Sequence, residues 1–591
     1  MNQLNIEYVK NKTDFLKTLE NSDNLNLKNV QNYVPLYNKF FVLNNTNYNN
    51  INLNQRNQIV SITDRPSFNE FNCKIIDSLD STERETSVFV KFSPLLDPIK
   101  YLVGKYDHTD VNIFNLPKID NNHSCHAKVQ NNYNSAYTDS FFSYLTSKLL
   151  NETGFVHGLD FYGSYLANLK DYKVNIFDDI EYLAESPFFN THKNSLFTID
   201  ESFYDIVCES DSRDRKKRLQ FGKEIDDSNV DIELLGVNDT SSNKQITLND
   251  VSCIKEIDSI VSSNSDSKMS CHSHTTCSSR SSNTTDDDGS VDNSSEEDSE
   301  GDSEEDSGTI TSSMIDDEEE QIFTHIEDFP VDMICLEACK ETLDAYMMDK
   351  DIDPDEWMAI LMQINMQLIT YQKVFDFTHN DLHTNNVMCV ETDKPYIYYC
   401  YNSTYYKVPS FGRIWKIIDF GRSIYKFNGK TICSDSFASG EDAATQYNCE
   451  PFFNADKARL EPNHSFDLCR LGCSLFDYFL DDPEDILTYN ELDDIQQLIV
   501  DWCTDDKGKN ILYKKNGEER YPEFKLYKMI ARNVHNHTPV AQLERKQFSG
   551  FKISRKKLKK NHLKNLINID NLEDQTKCND NDDMTEVSLN N

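Results

Sequence analysis

Ten consecutive residues, Thr378-His379-Asn380-Asp381-Leu382-His383-Thr384-Asn385-Asn386-Val387, constrain the fold more than anything else in this chain. Ahead of them, residues 355–377 place Trp357, Ile360, Leu361, Ile364, Leu368 and Ile369 at helical spacing. A buried helix therefore delivers the chain into this polar loop. Residues 387–390 then read as a short strand, and 411–418 (FGRIWKII) as a second one running into Asp419-Phe420-Gly421. Farther on, Asp467-Leu468-Cys469-Arg470-Leu471-Gly472 opens a segment, 468–480, that is apolar almost all round, as a fully buried helix is. Strands and helices are mixed, and three carboxylates lie at the ends of apolar elements. The expected class is α+β.

Asp381 and Asn386 stand five positions apart, the spacing of H-x-D-L-x-x-x-N. With Asp-Phe-Gly and the Asp467 helix following in order, the chain resembles the protein kinase superfamily, in particular the Ser/Thr kinase-like proteins of large DNA viruses. The likeness covers roughly half the chain. It implies a two-lobed fold and ATP- and Mg2+-dependent transfer of the γ-phosphate to Ser/Thr hydroxyls of a protein substrate. Asp381 would take the proton of the attacking hydroxyl. Asn386, through its amide carbonyl, and Asp419 would hold magnesium, which prefers hard oxygen ligands. Asp467 would tie down the backbone of the loop. Residues 85–92 read as a strand, and Val88-Phe89-Val90-Lys91 resembles V-A-I-K, so Lys91 would hold the α- and β-phosphates. In the helix expected at 135–150, Asp139 stands where kinases pair that lysine with a longer glutamate. Residues 330–337 resemble the last small-lobe strand, so Glu337 and Cys339 would meet adenine through their backbones.

Three departures bear on mechanism. Asn380 replaces the arginine that commonly meets a phosphorylated activation segment (here 422–466). His383 replaces a lysine beside the catalytic aspartate; an imidazole there would be a pH-dependent cation near the transferring phosphate. Residues 75–87 (IIDSLDSTERETS), where a glycine-rich loop is expected, contain no glycine, although backbone amides approach phosphates most closely without a Cβ. Two alternatives stay open. One is a pseudokinase scaffold. The other is a small-molecule phosphotransferase of the choline or aminoglycoside type, whose Asp-Leu-His-x-x-Asn pattern is also similar.

The organisation expected is a polar N-terminal extension (1–65), the first part of a small lobe (66–170), an insertion (171–327), the last small-lobe strand and hinge (328–338), a large lobe (339–550), and a basic then polar tail (551–591). Residues 155–163 read as a small-lobe strand, and 396–401 as part of an extended β-hairpin. The chain carries 59 basic and 100 acidic residues, a formal charge of −41. Residues 281–320 hold 17 acids and no base. Within 240–320, Ser, Thr, Asp and Glu dominate, and such a stretch cannot bury enough apolar surface to offset its ordering entropy, so disorder is expected. Its Ser-Glu-Glu-Asp runs resemble substrates of acid-directed kinases. The charge argues against nucleic acid as the main partner. The first residues lack a signal-peptide core and no window is long enough to span a membrane, so an intracellular protein is expected: by the viral resemblance, in host cytoplasm or packaged in a virion. Sixteen cysteines show no paired C-x-x-C pattern, and His123, Cys125 and His126, like Cys271 to Cys277, read as adventitious rather than metal-binding.

Overall fold

The computed structural model describes residues 4–10, 15–49, 51–119, 124–200, 322–480 and 489–577. The fold is mixed α and β. Its largest sheet has seven strands. In chain order the ones used below are β1 (Leu27–Gln31), β2 (Asn57–Asp64), β3 (Glu70–Asp77), β4 (Glu83–Pro94), β5 (Phe161–Asn175), β6 (Thr198–Ile199) and β7 (Phe323–Glu337). They lie in the order β1-β5-β7-β4-β3-β2, with β6 also on β7, and every pairing is antiparallel. Alternation sets the faces: Phe71, Cys73 and Ile75 of β3 and Val88, Val90 and Phe92 of β4 are buried, whereas Phe89 and Lys91 point to the other face.

Helix α1 (Ser135–Thr153) packs on this sheet and is buried from Ala136 to Leu149. Asn134 caps its first turn, and Gly154, at φ 74°, ends it in a left-handed conformation. Beyond β7 the main elements are helical. Helix α2 (Pro354–Phe375) starts at a capping Asp353 with proline in its first turn and is buried almost throughout, as the sequence pattern requires. Helices α3 (Phe466–Phe479) and α4 (Asp494–Trp502) pack together, and α5 (Phe524–Asn533) lies against α3. A three-stranded sheet, Glu341–Thr342, Val387–Glu391 and Arg413–Ile417, leads the chain past the Asp381 loop and into Asp419.

Several sequence boundaries need correction. Residues 1–65 are not a separate extension, because β1 and β2 are strands of the main sheet. Residues 155–160 are a connecting turn, and the strand begins at Phe161, where the chain first pairs with β7. That strand runs to Asn175, and β7 starts at Phe323, so both cross the expected limits of the insertion. The hairpin is present, with Tyr396–Tyr401 pairing to Thr404–Pro409. Strands Lys552–Ile553 and Leu566–Asn568 flank it, so this part of the expected tail is built into a sheet. Asp570 accepts the turn amides of Asn402 and Ser403, at 2.6 and 2.8 Å. No helix among the described residues is long and apolar enough to cross a membrane.

The acidic stretch 240–320 and Cys271 to Cys277 lie outside the described residues, as does His123. The Asp200 amide donates to Phe323 O at 3.0 Å, so the described residues on either side of the stretch meet at one ladder rung. Shortening a connection whose ends already touch changes the closure entropy only slowly with length. Deleting 240–320 is expected to leave the melting temperature within about 2 °C of the parent in a calorimetric scan.

Candidate functional site

The site is organised around a buried lysine. Lys91 projects from β4 toward α1 and places Nζ 2.7 Å from Asp139 Oδ2 and 2.9 Å from Asp419 Oδ1. The side chain of Lys91 is 16% exposed and that of Asp139 4%. Asp139 is short, yet its second oxygen also accepts the Phe420 amide at 2.9 Å, which draws the Asp-Phe-Gly turn against α1. Burial opposes charge on all three groups. For Lys91 the two carboxylates outweigh it and hold the ammonium well above its usual range. Burial dominates for Asp139 and pushes it up, whereas Asp419, more open and facing Lys91, is held down. Asp419 has φ 61° and Asn380 φ 67°, left-handed conformations that Asp and Asn adopt more readily than other non-glycine residues.

The Asp381 loop is fixed from beneath. Asp467, in the first turn of α3 and fully buried, accepts the amides of His379 and Asn380, both at 2.9 Å. His379 Nε2 lies 2.9 Å from Ile418 O, and the Ile418 amide donates to Asn386 O at 3.0 Å. These bonds put Asn386 next to the residue preceding Asp419. The Asn386 amide nitrogen donates to Asp381 O at 2.9 Å and contacts His383 Nε2 at 3.1 Å. An amide N–H can only donate, so His383 accepts through Nε2 and is neutral; burial lowers its pKa as well. Asn386 Oδ1 and Asp419 Oδ2 are left without a hydrogen-bond partner among the described residues. Two open hard oxygens fit magnesium, which takes its remaining ligands from water and phosphate. No group of three or more His, Cys, Asp or Glu suited to a metal occurs among the described residues. His126 instead caps a short helix through Nδ1.

Asn380 carries a different connection from the arginine it replaces. Its side chain donates to Thr378 O and Arg422 O, and Tyr447, from the 422–466 segment, donates to its Oδ1 at 2.8 Å. Glu337 ends β7, where its carboxylate pairs with Lys416 and accepts the Asp160 amide. Lys416 also donates to Gly158 O at 2.9 Å. Cys339, two residues on, is half-buried.

The glycine-free stretch at 75–87 is not the segment nearest Lys91. It forms the end of β3, a turn and the start of β4, with Ile75 opposite Arg84. The connection beside Lys91 is 65–69, where the Val90 amide donates to Asn69 O at 2.7 Å. It too lacks glycine, and Arg65 folds back on the Ser67 and Phe68 carbonyls while also reaching Asn24 O. Phe89, two residues before Lys91 and on the same face, is half-buried.

Sequence reasoning missed the residues around the Asp381 carboxylate. Tyr527 of α5 donates to Asp381 Oδ1 at 2.7 Å, and Arg470 Nε donates to the Tyr527 hydroxyl at 3.0 Å. Arg422 Nε lies 3.9 Å from Asp381 Oδ2 and pairs with Asp442. Burial alone would raise the Asp381 pKa, but Arg422, Arg470 and the Tyr527 bond hold it below its usual range. Arg470 was within reach of the motif, one helical turn past Asp467. Tyr527, 146 residues from Asp381, has no signal in the sequence. No protein-family model matches the chain. No curated protein matches it either.

Replacing Asp467 by Ala strands two buried loop amides. We expect a loss of about 2–5 kcal/mol in urea unfolding, with Asp467→Asn intermediate because its amide retains one acceptor oxygen.

Proposed function

We propose that this chain is an ATP- and Mg2+-dependent protein kinase with a two-lobed kinase-like fold, acting on Ser/Thr hydroxyls. The observation that carries the reading is the meeting of Lys91 with Asp139 and Asp419, while Ile418 is bonded to Asn386 of the Asp381 loop. Residues from four distant parts of the sequence thus converge with the chemistry that phosphoryl transfer needs. Lys91 would hold the α- and β-phosphates, and Glu337 and Cys339 would present backbone groups to adenine. Asn386 Oδ1 and Asp419 Oδ2 would hold magnesium, which when bound neutralises charge on the phosphate oxygens. Asp381 would orient the acceptor hydroxyl and take its proton as the acceptor oxygen bonds to the γ-phosphorus and the bond to the bridging oxygen breaks, releasing ADP. His383, bonded as a neutral acceptor, would support Asn386 rather than supply a cation.

A second reading, a pseudokinase scaffold, is favoured by the glycine-free 65–69 connection and by Phe89 on the Lys91 face. Nucleotide binding and transfer to protein acceptors separate the two. With labelled ATP, Asp419→Asn should abolish magnesium-dependent nucleotide binding. Asp381→Asn should bind nucleotide normally while turnover falls roughly a hundredfold or more. Parent protein that binds no nucleotide with magnesium would leave only the scaffold reading, and equal loss of binding in both variants would overturn the division of roles.

A further inference from the structure

Kinase-type chemistry at Asp381 requires a carboxylate held in one orientation with an oxygen free for the acceptor. In this chain nothing from the loop itself holds it: of Asp381, Asn386 reaches the backbone carbonyl and the His379 ring the backbone amide, and neither bonds the carboxylate. His383, the residue two positions on, is turned to Asn386 as a neutral acceptor. The holding group comes from elsewhere. The Tyr527 hydroxyl donates to Oδ1 and in turn accepts from Arg470 Nε. Oδ2 has no hydrogen-bond partner among the described residues; Arg422 Nε lies 3.9 Å from it, and that guanidinium pairs with Asp442.

Tyr527 is not placed as a removable plug. Its ring stacks on Phe524, with centroids 5.3 Å apart and planes 10° from parallel, and the Arg470 guanidinium lies 5.1 Å from its centroid. Arg470 is anchored on α3, one turn beyond the Asp467 carboxylate that grips the catalytic loop. Among the described residues its only hydrogen-bond partner is the Tyr527 hydroxyl. The two ends of the Arg470–Tyr527–Asp381 chain are therefore carried by elements already tied to each other.

We propose that Tyr527 and Arg470 are positioning residues for the transfer step: Arg470 fixes the phenol, and the phenol pins Asp381 Oδ1 so that Oδ2 is presented to the acceptor hydroxyl. The inference rests on the phosphoryl-transfer reading above. Tyr527→Phe keeps the ring and its packing and removes only the oxygen. It should lower kcat roughly ten- to a hundredfold, as loss of one hydrogen bond to a charged group does, with the KM for ATP unchanged and the melting temperature lowered by only a few degrees. Arg470→Gln should lower kcat in the same direction. The double variant should be no slower than the slower single one, because the two act as a unit. A purely structural role would instead leave Tyr527→Phe with parental kcat, or make the losses additive together with a larger drop in melting temperature. A faster Tyr527→Phe enzyme would mean that the phenol obstructs the acceptor position. Each of these results overturns the assignment while the kinase reading stands. Parent protein that neither binds nor turns over ATP removes both.

Discussion

The Lys91 ammonium is the interaction on which the site depends. Taking an ammonium out of water costs several kcal/mol, and one carboxylate at hydrogen-bond distance rarely offsets this once its own desolvation is counted. Two do so here, and they come from different elements: Asp139 from α1 and Asp419 from the turn after strand Arg413–Ile417. The sheet, the helix and the turn can satisfy their buried charges only together. The Phe420 amide on Asp139 adds a neutral contribution in the same direction, since it stabilises the charged form of the more deeply buried carboxylate.

A second set of bonds brings the Asp381 loop to that point. Asp467 satisfies two loop amides, His379 reaches Ile418 O, and the Ile418 amide closes on Asn386. All are backbone groups or fixed side chains on buried elements, so the loop is held without help from a ligand. The 422–466 segment is attached in the same style. Thr378 and Ile424 exchange both backbone hydrogen bonds, and Tyr447 seats on Asn380. Where the kinase resemblance leads one to expect an arginine awaiting phosphate, a neutral phenol–amide bond does the holding, and it asks for no modification to form.

What the sequence made legible follows from the range of the forces involved. Helices 355–377 and 468–480 were readable because burial on most sides writes long apolar stretches, and 135–150 because Phe141, Phe142, Leu145, Leu149 and Leu150 recur on one side; the observed bounds differ by a few residues at most. The Asp381 and Asp419 neighbourhoods were readable because fixed short spacings encode them. The strand at 155–163 was misplaced because Phe155, Val156 and Leu159 are apolar for another reason: they line a turn whose His157 is buried between Trp415 O and the Tyr399 hydroxyl. The glycine-poor loop was sought one hairpin too late, since strands β2 and β3 carry no motif that sets their order. The roles of β1 and of 551–577 were not legible because their pairing partners, 161–175 and 396–409, lie more than a hundred residues away, and pairing at that distance leaves no local pattern.

The two ends of the site are thus built on different principles. At the Asp381 end, every side chain named is held by a partner that is itself held, down to Arg470 and Asp467 on one helix. At the Lys91 end, the connection 65–69 spends its one guanidinium on its own carbonyls and on Asn24 O, and offers side-chain-bearing residues where close backbone approach to phosphate would favour glycine. Preorganisation at the first end would, in the proposed reaction, lower the cost of orienting an acceptor, whereas at the second the backbone is fixed in a form that would limit how closely its amides approach phosphate. In the proposed reaction, Lys91 and the two open oxygens of Asn386 and Asp419 must then carry most of the phosphate recognition. Nucleotide affinity should accordingly depend more steeply on magnesium than it would with a glycine-rich cradle, because the metal supplies contacts that the 65–69 backbone does not.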